Sequence, residues 1–178
     1  MTPSPTLNHL FGCRAIEIQD QLLRANHLVN PSSGIANDFL NQYNEILLLV
    51  ENLPVLLPEM IDELLAWKPR TYEEYFQSSP LAGGHLAIEI YQALDEAFRE
   101  RFEAQIAKIN VLASKAIIVI GHQQHGSDEM RAQDIEVFCE EISAKLRAEI
   151  ERAVDLVNHG LEVPPETSQE MADRLMRV

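Results

Sequence analysis

Two histidines three residues apart, His122 and His125, sit in the stretch IGHQQHGSDEM, with Asp128 and Glu129 just beyond. Imidazole nitrogens and carboxylate oxygens bind zinc, which takes three or four ligands in fixed geometry. His122, His125, Asp128 and Glu129 therefore form a candidate metal set. The string lacks the HExxH pattern, however, and no cysteine pair accompanies it. The competing reading is a turn: Gly121 ends one helix, Gly126 permits the bend, and polar residues fill an exposed tip. The missing pattern favours the turn. Imidazole also titrates near neutrality, so such a tip is a candidate pH sensor.

A second set runs through HLAIEIYQALDEAFRERFE, where His85, Glu89, Gln92, Glu96 and Glu103 share a stripe. Helical bundles build di-iron sites from such stripes together with Glu-x-x-His pairs. No Glu-x-x-His occurs in this chain. At about 100° per residue, Ala87, Tyr91, Leu94 and Phe98 point away from His85, Glu89, Gln92 and Glu96. The apolar set must face the core, which turns the carboxylates to water.

The third set is WKPRTYEEYF, residues 67–76. Four of the chain's eleven aromatics, Trp67, Tyr72, Tyr75 and Phe76, fall here around Arg70. Aromatics and arginine are common binding anchors, and arginine stacks on rings. These five residues are the candidate partner-binding site. The alternative is that the rings close one end of the fold. The acidic stretch CEEISAKLRAEIERAVD, with Glu140, Glu141, Glu149, Glu151 and Asp155 expected outward, reads as a solvated face or as a surface for a basic partner.

Other catalytic strings are missing: no GxSxG, no phosphate-binding loop, no GxGxxG after a strand. Gly83-Gly84 before a helix is a weak anion signal. No cofactor is expected.

Composition narrows the classes. The chain has 178 residues, with 28 acidic against 14 basic and a net charge of −14. After residue 126, 13 acids face 6 bases. Such a field repels phosphate backbones and anionic lipid, and no basic patch reverses it. Nucleic acid and membrane surfaces are therefore not expected partners. The two cysteines, Cys13 and Cys139, imply no disulfide framework and fit a reducing cytoplasm. MTPSPTLNHLFG carries neither the basic nor the apolar region of a secretory signal. ILLLVENLPVLL, residues 46–57, is too short and too interrupted to span a bilayer.

Helical spacing must position these groups. Phe11, Ala15, Ile18, Leu22, Ala25 and Val29 alternate steps of four and three. Phe39, Tyr43, Ile46, Val50 and Leu53 repeat the pattern after NPSSG, with Ser32 or Ser33 as cap. Pro58 suits a first helical turn, Pro69 ends that helix, and TYEE is a capping box. Between His85 and Ile120 there is no glycine or proline for 36 residues. Ser127 and Gly160 bracket another long helix. Helices are expected at about 6–29, 34–53, 58–67, 71–77, 85–120, 128–159 and 167–177.

Short loops make sequential helices antiparallel neighbours. The expectation is one all-α domain over 1–178, a helical bundle with a long antiparallel hairpin. Its tail, Ile117 to Ile120, is apolar all round and calls for outside cover. A second copy, making a homodimer, would supply it. Two functional classes follow: a non-catalytic cytoplasmic protein acting through a protein or peptide partner, or a small-molecule- or metal-binding bundle, the second extending to an enzyme.

Overall fold

A computed structural model describes residues 28–53, 58–80, 83–125 and 132–160. Residues 6–27 of the helix expected over 6–29, the helix expected over 167–177, and Asp128 and Glu129 lie outside the described residues. Within them the fold is all-α. A 3-10 turn, Asn37–Leu40, leads into α1 (Asn41–Glu51). Then come α2 (Pro58–Ala66), α3 (Tyr72–Ser78), α4 (Gly84–Gln92), α5 (Glu96–His125) and α6 (Ala132–His159). No strand occurs among the described residues.

Three helices carry the core, and paired contacts fix their directions. Phe39 packs on Phe102 with ring centroids 6.0 Å apart, and Tyr43 lies beside Asn110; the turn and α1 thus run parallel to α5. Asn30 Nδ2 donates to Asn158 Oδ1 at 3.3 Å, and Arg147 pairs with Glu51; this segment runs antiparallel to α6. Helices α5 and α6 are therefore antiparallel to each other. They are bonded at mid-length, where Gln105 Nε2 donates to Glu149 O and Oε2 at 2.8 Å. Ile46, Val50, Ile109, Ala113, Leu146 and Val157 are buried between the three. Burying that apolar surface supplies the main driving force for their association.

Several local signals act as the sequence predicts. Thr71 Oγ1 accepts the Glu74 N–H at 3.2 Å, and Glu74 Oε2 accepts the Thr71 N–H at 2.9 Å, completing the capping box. Gly160 adopts φ +61°, and a Cβ there would meet Ser32 O at 2.9 Å. That close approach locks the C-terminus of α6 onto the 30–34 turn.

Four expectations are corrected. The single helix over 85–120 is two helices, broken at Ala93–Asp95. Asp95 Oδ1 accepts the Phe98 N–H at 3.1 Å and so caps α5. Gly121 does not end a helix: α5 continues to His125. A Cβ at Gly121 would stand 3.3 Å from Leu65 Cδ2, so the glycine admits α2 rather than a turn. Neither Ser32 nor Ser33 caps a helix: Ser33 Oγ accepts the Ile35 N–H at 3.1 Å within a turn, and the 3-10 turn starts at Asn37. Leu28 has φ +67° and, like Val29, is not helical, so the helix expected over 6–29 reaches no further than residue 27.

The tail of α5 is only partly covered. Ile120 is buried, Ile117 and Val119 are half-buried, and Ile118 is exposed. By length and composition, Glu96–His122 is apolar enough to cross a bilayer, the one such stretch among the described residues. Two apolar faces explain that composition. One lies in the core through Ile109, Ala113 and Ala116; the other faces outward through Val111 and Ile118.

Candidate functional site

The aromatic corner forms because Pro69 stops α2 and Thr71 starts α3 two residues later. Gln42, only 2 % exposed, ties that corner to α1. Its Oε1 accepts the Arg70 N–H at 3.0 Å, and its Nε2 donates to Arg70 O and Phe39 O at 3.3 Å each. Its backbone oxygen accepts Trp67 Nε1–H at 3.2 Å. Every polar atom of this buried amide is thus engaged, as burial demands. No sequence pattern singled out Gln42.

The five expected anchors divide between core and surface. Tyr72 and Phe76 are buried. Tyr72 stacks on Tyr91 at 4.1 Å and 17°, and its hydroxyl accepts the Ala36 N–H at 2.9 Å. Burial pushes the Tyr72 phenol far above its ordinary value, so it stays neutral. Trp67 and Tyr75 are half-buried, packed edge-on against Tyr43 and Phe39 respectively. Arg70 is exposed; its guanidinium lies 4.9 Å from the Tyr75 ring centroid and donates to Ser78 Oγ at 3.3 Å. The rings therefore close the end of the bundle, and Arg70 with the edges of Trp67 and Tyr75 forms the accessible part.

Beside this corner lies an open cleft of about 560 Å3. Pro69 to Glu73 form one wall; Tyr91, Phe102, Glu103, Ile106, Ala107 and Asn110 form the other, with Phe39 as floor. Tyr91 donates its hydroxyl to Glu103 Oε1 at 3.0 Å. Burial and that carboxylate together raise the Tyr91 phenol well above its ordinary value. Glu73 accepts from Gln92 Nε2 at 2.6 Å. The rim thus carries two carboxylates against Arg70. At the inner end stands Asn110, beside the fully buried Tyr43. Burial raises the Tyr43 phenol, and Asn110 is near enough to offset part of that rise. Their contact nonetheless falls short of hydrogen-bond geometry: the Tyr43 hydroxyl and Asn110 Oδ1 are buried with no hydrogen-bond partner among the described residues.

The histidine pair is placed differently. His122 and His125 are one turn apart in the last turns of α5, and His122 is exposed. Asp128 and Glu129 lie outside the described residues, and no cluster of three metal-ligating side chains occurs among the described ones. The stripe His85, Glu89, Gln92 and Glu96 faces water, with His85 Nδ1 3.4 Å from Glu89 Oε1. Glu149 departs from its expected outward position. It is 19 % exposed, held between Gln105 and Arg152.

Fold and site together define an all-α bundle with an aromatic-floored, acid-rimmed cleft at one corner. No known protein family, curated protein or solved structure matches the chain.

Proposed function

We propose that this is a non-catalytic cytoplasmic binding protein whose cleft takes a short segment of a protein partner. The partner segment carries a basic side chain next to an aromatic or aliphatic one. The observation that carries this reading is the pairing of a ring-lined floor with Glu73 and Glu103 on the rim. Apolar groups on the partner fill the floor, and its cation meets the carboxylates. The net charge of −14 steers a basic segment toward the protein before contact.

A random-peptide selection tests this, with the Glu73→Lys/Glu103→Lys variant as counter-target. The expected winners combine Arg or Lys with Trp, Phe or Leu, and bind the variant at least tenfold more weakly. Peptides that bind both proteins equally, or that share no basic residue, would overturn the reading.

The cleft volume supports a second reading, since small-molecule sites span about 300–1,000 Å3. Native mass spectrometry of the protein as purified tests it. A retained mass lost in a Phe102→Trp variant, which narrows the cleft, would favour this class over peptide binding.

A further inference from the structure

We propose that the cleft takes an arginine side chain in preference to lysine, with the guanidinium bridging Glu73 on one wall and Glu103 on the other. This deepens the reading of the cleft as a site for a basic segment, and rests on it. Glu73 closes the wall that begins at Pro69, and Glu103 stands on the α5 wall that faces it. Two consecutive residues at the end of α4 hold these carboxylates. Tyr91 donates its hydroxyl to Glu103 Oε1 at 3.0 Å, and Gln92 Nε2 donates to Glu73 Oε1 at 2.6 Å. Each bond is made at Oε1, and a carboxylate accepts at both oxygens; Oε2 of each is the oxygen a ligand can use. Because Tyr91 and Gln92 share one turn, α4 sets the spacing between the two acids. Tyr91 is itself fixed by its stack on Tyr72, so the pair is in place before a ligand arrives.

Acids on opposite walls ask for donors on two sides of one cation. A guanidinium is a planar fork with five N–H groups along its edges, and it pairs with carboxylates through parallel bonds. An ammonium is a point charge with three donors on one atom. Hydration favours the same choice. Pro69, Ile106 and Ala107 make much of the lining apolar, and a guanidinium gives up its water more readily than an ammonium. The two nearby arginines of the chain are engaged elsewhere. Arg70 turns to Ser78 Oγ and the Tyr75 ring. Arg99 donates to Gln92 O at 3.2 Å, and its Nε stands 3.9 Å from Glu103 Oε1, the oxygen that Tyr91 also uses.

Four probes test this on the full chain: acetyl-Trp-Arg-amide, acetyl-Trp-Lys-amide, acetyl-Trp-citrulline-amide as the uncharged isostere of the first, and agmatine. Binding is read by NMR titration, with the Gln92 side-chain amide as reporter because it is bonded to Glu73. The arginine dipeptide should bind about tenfold tighter than the lysine one, and citrulline more weakly than both. Glu73→Gln and Glu103→Gln should each bring arginine and lysine within about threefold of one another. Both substitutions sit on the rim, so the melting temperature should hold; if either variant melts early, the wild-type comparison alone decides. Equal binding of arginine and lysine, both above citrulline, would overturn the arginine preference and leave the basic-segment reading standing. Citrulline binding as tightly as arginine, or no shift of the Gln92 amide with any probe, would overturn both. An arginine preference that persists in both variants would overturn the bridge between the two acids. Agmatine binding as tightly as the arginine dipeptide would keep the bridge and overturn the partner segment, giving the cleft to a free guanidine.

Discussion

Tyr91 lies flat against Tyr72, ring centroids 4.1 Å apart and planes 17° from parallel, and this stack joins α4 to the corner between α2 and α3. The stack holds one wall of the cleft against the other. Each tyrosine also makes one hydroxyl bond, and the two bonds differ in burial. Tyr72 serves the buried Ala36 N–H, whereas Tyr91 serves the exposed Glu103.

That contrast predicts unequal effects from one chemical change. Tyr72→Phe keeps the ring but leaves the Ala36 N–H buried and unpaired, costing about 1–3 kcal/mol. Tyr91→Phe frees a carboxylate that water can reach and costs less than about 1 kcal/mol. Urea midpoints at unchanged m-value report both. Equal losses would contradict the assigned partners.

Gln42 is the corner's clamp. Gln42→Leu keeps the volume but strips Arg70 N–H and both carbonyls of their side-chain partner. A loss of about 2–3 kcal/mol is expected. Emission from Trp67, the chain's one tryptophan, should shift red as the corner loosens. An unchanged spectrum and midpoint would show that the corner stands without it.

Two glycines separate strain from spacing. Gly160→Ala puts a Cβ 2.9 Å from a backbone oxygen at φ +61° and should cost more than about 1 kcal/mol. Gly121→Ala meets only the flexible tip of Leu65 at 3.3 Å and gains helix propensity, so its net effect stays within about 1 kcal/mol. If Gly121 were a helix terminator, the order would reverse.

Acid should destabilise the fold through two carboxyls. Bonds from the Thr71 backbone and hydroxyl hold Glu74 below the ordinary value near 4.5. Burial alone would raise Glu149, but bonds from Gln105 and Arg152 outweigh it and hold it low. A carboxyl lowered by folding stabilises above its unfolded pKa and loses that contribution as pH falls through its folded value. Thermal midpoints should therefore drop below about pH 4.5, and Glu149→Gln should flatten that drop. A variant as acid-sensitive as wild type would contradict the role of Glu149.

Much of the fold was legible because helical signals are local. The capping box at Thr71, Pro58 at a first turn and Gly160 at a helix end each act through neighbours in sequence. The helix break at Asp95 was less so: LDEAF contains the cap, but the apolar phase runs nearly unbroken across it. Gly121 misled because its reason is Leu65, more than fifty residues away. The site was half visible. The cluster of rings marked the corner, yet Gln42, Tyr91, Glu103 and Asn110 join it only through tertiary packing. Tyr72 and Phe76 proved to be core residues because the corner folds inward onto Phe39.

The histidine pair gives a sharp expectation of its own. Zinc should leave the melting temperatures of wild type and the His122→Ala/His125→Ala variant equally unchanged. A zinc-dependent rise in wild type alone would restore the metal reading.

The most direct test of the binding account is photo-crosslinking in cells from p-benzoylphenylalanine at position 69, on the cleft wall. The account predicts a discrete crosslinked protein whose attached peptide contains a basic residue, and its loss when Glu73→Lys and Glu103→Lys are added without a change in melting temperature. The same crosslink at the same yield in that variant would contradict it.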